Sequence, residues 1–193
     1  VLNKHREIFY KKRLEILQHE RVNDIILDMI NKEVERVVLF HTADQDEAQW
    51  NTKEIAEVVA TMVPLTAEAR EKLKLFAGDS SSEALAKEDV PHDVAARTAI
   101  IEYLSGYIAS YYKNLEEKLN AHDSKLMGRV ERSVVLRAMD TLWVDHLSAI
   151  DYLRTGIGLQ GYGQRDPLVE YKREAYSLFT QLLSSIDSQV VYS

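Results

Sequence analysis

Residues 156–167 read Gly156-Ile157-Gly158-Leu159-Gln160-Gly161-Tyr162-Gly163-Gln164-Arg165-Asp166-Pro167, and they hold four of the seven glycines and one of the three prolines in a chain of 193 residues. The flanks are long and amphipathic. Before this stretch, Val135, Met139, Leu142, Trp143, Ile150, Leu153 and Ile157 recur at three-to-four spacing. After it, Leu168, Tyr171, Ala175, Leu178, Phe179, Leu182, Leu183, Ile186 and Val190 do the same. Apolar residues at that spacing line one side of a helix. Asp166 before Pro167 predicts a helix start, the aspartate as N-cap and the proline at the first helical position, where its missing N–H costs nothing. Two amphipathic arms joined by about eight residues must lie antiparallel. The reading is a long helical hairpin with a glycine-rich tip.

Working toward the N-terminus, Val22, Ile25, Ile26, Met29, Ile30, Val34, Val37 and Val38 keep the same spacing, with no proline before Pro64 and no glycine before Gly78. One helix over about residues 3–40 would span roughly 55 Å at 1.5 Å per residue, the length of a scaffold. Shorter pieces follow. Thr52 is the expected N-cap of a helix over 53–63, Pro64 its stop, Thr66 the next N-cap and Gly78 a C-terminal residue. Asp79-Ser80-Ser81-Ser82 reads as a polar linker. Val94, Ala95, Thr98, Ile101, Leu104, Ile108, Tyr111, Leu115 and Leu119 then define a further helix. The fold class is all-α: a scaffold helix over 1–40, an inserted helical subdomain over 41–120 and an antiparallel hairpin within 121–193.

Composition narrows the function. The net charge is −7 and 46% of residues are apolar. The chain can bury an ordinary core, and it lacks the concentrated basic face that nucleic-acid binding requires. Residues 1–21 are nevertheless basic, with six Lys/Arg against three Glu, and residues 41–96 are acidic. The absence of cysteine excludes disulfides and thiolate metal sites and fits a reducing compartment. No apolar run approaches the 18 or so residues that span a bilayer. The chain opens at Val1 already in helical register, which predicts a piece of a longer protein.

Gly156-Ile157-Gly158-Leu159-Gln160-Gly161 matches the G-x-G-x-x-G dinucleotide pattern, but that motif works only between a strand and a helix that receives the pyrophosphate. A helical arm precedes it here, so the nucleotide reading fails on context. The glycines either flex at a contact point or merely reverse the chain; four exceed what a reversal needs. Tyr162, between Gly161 and Gly163, either protrudes, offering a flat ring and a hydroxyl, or folds back as a cap. His146 sits on the apolar seam without a second ligand one turn away, and reads as a hydrogen-bonded core histidine rather than a metal ligand. Asp140, Asp145 and Asp151 are too scattered for paired-carboxylate catalysis and read as surface or inter-helix ion pairs. Lys11-Lys12-Arg13 is a solvated face or a dock for an acidic neighbour. Tyr103, Tyr107, Tyr111 and Tyr112 read as packing. No nucleophile–base set is present, so no catalytic residue and no metal site are expected.

The residues Leu136-Arg137, Asp140, Trp143, Asp145-His146, Asp151, Leu153-Arg154, Gly156-Ile157-Gly158-Leu159, Tyr162-Gly163-Gln164-Arg165-Asp166-Pro167-Leu168 and Glu170-Tyr171-Lys172-Arg173-Glu174 resemble the two-helix finger of the SecA family, the ATPase motors of bacterial protein export. Val1-Leu2-Asn3, Arg6, Tyr10, Arg13 and Ile16-Leu17 resemble the start of the same family's scaffold helix, and residues 41–120 fit its acidic wing. The resemblance implies that motor domains binding ATP and magnesium lie outside this chain, which itself carries no cofactor. It implies a transmission and contact role, cytoplasmic and peripheral to the membrane, whose partners are the SecYEG channel, preprotein, signal peptide and the motor domains. Tyr162 would touch the translocating polypeptide with Leu159, Gln160 and Gly161, and Gly156, Gly158, Gly161 and Gly163 would supply flexibility. Gln160 and Gly161 depart from the Arg and Ala frequent there, which loses a charge at the tip. A freestanding adaptor binding a partner through its long helix is the alternative.

Overall fold

A computed structural model describes residues 1–18, 22–43, 50–76, 92–121, 123–157 and 166–193. Among the described residues the chain is helical throughout, with seven α-helices and no strand. They are α1 (Leu2–Gln18), α2 (Val22–His41), α3 (Thr52–Ala60), α4 (Ala67–Phe76), α5 (His92–Asn120), α6 (Leu126–Ile157) and α7 (Pro167–Val191). The all-α class read from periodicity is the one observed. The residues expected in one helix over about 3–40 are described as α1 and α2, on either side of 19–21. The expected roles of Gly78 and the 79–82 linker lie outside the described residues.

The chain divides into two compact units. The first comprises Val1–Ile25, Gly128–Val191 and Ser193; the second comprises Ile26–Met127 with Tyr192.

In the first unit, α1 buries His5, Phe9 and Ile16, residues four and seven apart that share one side of the helix. That side meets α6 in descending order: His5 against His146, Phe9 against Trp143, Arg13 against Asp140, and the Ile16 carbonyl accepting from Arg132. Rising numbers on one helix against falling numbers on the other make the pair antiparallel. The α6 seam expected from sequence is largely the buried one, with Val135, Met139, Trp143 and Ile150 at 6% exposure or less. On α7, Ala175, Phe179, Leu182, Ile186 and Val190 are buried. Leu168, expected on that seam, is 57% exposed. His146 and Phe179, each about three turns from the facing ends of α6 and α7, lie 5.8 Å apart, the register an antiparallel hairpin requires.

The second unit packs α3 against α4 and α4 against α5. Val34, Val38, Ile55, Val59, Leu73, Ile100, Leu104 and Ile108 form its core, each 1% exposed or less. The α5 stripe expected from sequence is right at Leu104 and Ile108 and one position off in the first turns, where Ala96 and Ile100 are buried in place of Ala95 and Ile101 and Val94 is 42% exposed. Ile100 and Ile101 suit either phase, and packing against α4 selects the first. Asn51, not Thr52, caps α3, its side chain accepting from the Glu54 N–H at 3.1 Å. Thr52 takes the first helical position and is buried. The helix also stops at Ala60, before Pro64, because Thr61, Met62 and Val63 already turn back on Val58 and Val59. Thr66 caps α4 as expected, accepting from the Ala69 N–H at 3.2 Å. The Tyr107 hydroxyl donates to the Pro64 carbonyl at 2.9 Å and accepts from the Thr66 N–H at 3.2 Å, which fixes the α3–α4 turn to α5.

Candidate functional site

The candidate contact site is the connection between α6 and α7, which the sequence reading makes the tip of a hairpin. Its arms come within described residues on both sides: α6 runs to Ile157 and Asp166 precedes α7. Asp166 behaves as expected. Its Oδ1 accepts from the Leu168 N–H at 2.9 Å, and its carbonyl accepts from Val169 and Glu170 at 3.1 and 3.2 Å, so three backbone donors of the first turn are satisfied by one residue. Pro167 has no N–H to satisfy there. Gly156 lies in the last turn of α6 without a positive φ, and a Cβ added to it would meet nothing within 4 Å. Neither backbone nor packing demands glycine at that position. The expected contact residues Leu159, Gln160, Gly161 and Tyr162, and the glycines Gly158 and Gly163, lie outside the described residues.

What holds the arms is an aromatic cluster contributed by α1, α6 and α7. Phe9 stacks on Trp143 with centroids 4.3 Å apart and 14° between planes. His5 stacks on Phe179 at 4.4 Å and 14°. Between these stacks, His5 Nδ1 and His146 Nε2 are 3.2 Å apart, one donating and one accepting according to tautomer. Both imidazoles are buried, at 6% and 4% exposure. Burial, reinforced by the neighbouring His5, pushes His146 down to about 4, and burial also lowers His5. These are neutral imidazoles near pH 7.

His146 is thus the hydrogen-bonded core histidine its seam position predicted. Its partner was not legible, because His5 lies 141 positions away and its own surroundings, Lys4 and Arg6, look like a solvated face. About two turns along α1 from His5, Arg13 grips Asp140 with two bonds of 2.7 and 2.9 Å. Each partner's hydrogen bond holds the other in its charged form, lowering the Asp140 carboxyl and raising the Arg13 guanidinium. Asp140 is an inter-helix ion pair as its spacing suggested, and Arg13 docks an acidic neighbour. Tyr103 packs against Phe76 at 5.7 Å with Lys72 over its ring at 4.6 Å, the packing role read from the tyrosine spacing.

A trough of about 560 Å³ opens between α1 and α7 beside the cluster, with His5, Ile8, Phe179 and Leu183 in its walls and Lys4 and Lys172 along it. No group of three His, Asp or Glu among the described residues could hold a metal ion, and no described helix is long and apolar enough to cross a membrane.

A helix, α1, laid antiparallel on the longer α6, with a second helical unit between them in the chain, is the arrangement of a helical scaffold module. The chain belongs to the SecA wing and scaffold domain family, whose sequence pattern matches residues 1–193. It is 34% identical over all 193 residues to the protein translocase subunit SecA of Dehalococcoides mccartyi strain 195. It is 33% identical over the same length to those of strains BAV1 and CBDB1. It spans 18% of the length of each of these relatives.

Proposed function

We propose that this chain is the scaffold, wing and finger region of a protein-export motor, coupling ATP-driven movements of motor domains outside it to preprotein translocation through the SecYEG channel. The scaffold is residues 1–40, the wing 41–120 and the finger 121–193. The observation that carries the reading is the family match over the whole chain, joined to a hairpin whose return helix is capped by Asp166 and whose arms are held on α1. ATP and magnesium belong to the motor domains, and the protein works at the cytoplasmic face of the membrane as a peripheral component.

In this reading Tyr162 touches the moving polypeptide, with Leu159, Gln160 and Gly161 beside it. Gly156, Gly158, Gly161 and Gly163 let that contact yield. A tyrosine suits the task because its face is apolar and its edge carries a hydroxyl, so it accepts varied side chains. The open stripe Tyr10, Leu14 and Leu17 on α1, 45–54% exposed, supports a partner on that helix, and the motor domains are the partner this reading assigns. An adaptor that uses the same stripe for a separate protein is the second reading. In the whole protein, Tyr162→Ala is expected to lower preprotein transport into membrane vesicles at least tenfold while nucleotide binding is kept. Unchanged transport would remove the contact role.

A further inference from the structure

The His5–His146 pair does more than fill space, because its hydrogen bond exists in only some protonation states. A neutral pair offers one N–H and one lone pair, and the 3.2 Å bond is complete. One added proton can sit on an outer nitrogen and leave that bond in place, at the cost of a buried charge. A second makes both facing nitrogens donors and sets two like charges against each other, so nothing accepts. The surroundings supply no remedy. From α1, Lys4 is positive and is paired with exposed Glu7 at 3.4 Å. From α7, Lys172 and Tyr176 line the adjoining trough. On α6, Asp145 is exposed and Asp140 is taken by Arg13 at 2.7 Å. Neither imidazole has an ion pair among the described residues. The trough reaches the wall that contains His5 and Phe179.

We propose that the His5–His146 pair is an acid-released latch: while neutral it holds α1 against α6 and α7, and its protonation frees α1 from both. This goes beyond the export reading and stands or falls apart from it. Since the folded state binds these protons later than the released state, stability is full above the ordinary histidine value of 6.5 and is lost as pH falls from there toward about 4. For His146 alone, those two values imply that the docked-to-released ratio drops about thirtyfold between pH 7.5 and 5. That window lies above the ordinary carboxylate range, so Asp140 keeps its charge on Arg13 across it.

The chain has no cysteine, so Lys12→Cys and Ser184→Cys place two nitroxide labels on exposed positions of α1 and α7. Pulsed dipolar distances on the full 193-residue chain, read beside an imidazole nitrogen NMR titration, test the latch. The expected result is a single short distance at pH 7.5 that lengthens and broadens in step with the imidazole signals, while His146→Gln and His5→Gln keep it short at pH 5. Imidazoles that titrate with no change in distance overturn the proposal, as do variants that lose the distance at the same pH as the parent. If neither variant folds at pH 7.5, the parent titration decides alone: a shared midpoint supports the latch, and separate midpoints overturn it.

Discussion

Asp166 concentrates the start of α7 in a single side chain, since its carboxylate and carbonyl together take three N–H groups that would otherwise need water. Asp166→Ala leaves the Leu168 N–H without its acceptor and is expected to cost about 1 kcal/mol, read from urea unfolding midpoints at constant slope. Gly156 makes the opposite case. Its helical backbone and open Cβ position mean that Gly156→Ala should stabilise the chain by about 0.5–1 kcal/mol. If yielding of this turn matters for contact, the same substitution lowers transport while raising stability, and paired measurement of the two separates the roles. The Asp-Pro start was legible because its chemistry is local. His5 was not, because nothing within a helical turn of it announces a partner on α6.

The helices differ in how well their buried sides could be read, and the reason is the redundancy of their apolar positions. On α2 the expected stripe contains all the buried valines and isoleucines, Val22, Ile26, Ile30, Val34, Val37 and Val38, and is only widened by the half-buried Ile25 and Met29. On α5 adjacent apolar residues leave two phases, and packing chose. Charged positions were harder still. Glu33 lies in mid-α2 at 6% exposure, and it stays ionised because Arg36 and the Tyr192 hydroxyl, at 2.8 Å, both donate to it. Those bonds outweigh burial and hold its carboxyl below the usual range, while burial and Glu33 push Tyr192 up to about 12. Tyr192→Phe removes one donor to a buried carboxylate, and a loss of about 1.5–3 kcal/mol in chemical unfolding is expected. A loss below the error of the fit would show that Arg36 alone suffices.

At the scale of the whole chain, each compact unit carries its own tryptophan. Trp143 belongs to the first unit beside the imidazole pair, and Trp50 to the second, under Arg97 at 5.4 Å. Single-tryptophan variants, Trp50→Phe and Trp143→Phe, therefore report the units separately. Acid titration should change the Trp143 emission between pH 6.5 and 5, ahead of Trp50, and simultaneous transitions would mean that the two units lose structure together. The division into units was only partly visible in the sequence. The acidic, breaker-rich middle marks the second unit and its limit at Met127 follows the polar stretch 122–125, whereas its limit at Ile26 falls inside the apolar pattern of α2.

The grip of α1 on α6 is not at the hairpin's end but well behind it. From Trp143 to Ile157 the α6 axis runs about 21 Å, so a swing of about 10° at the aromatic stack carries the Ile157 end through about 4 Å. The stack thus holds α6 well behind its Ile157 end, and by geometry alone any tilt there is multiplied along the 32-residue helix. A side chain removed at Phe9 or Trp143 would loosen that hold and let the direction of the distant end spread, with no change at the end itself.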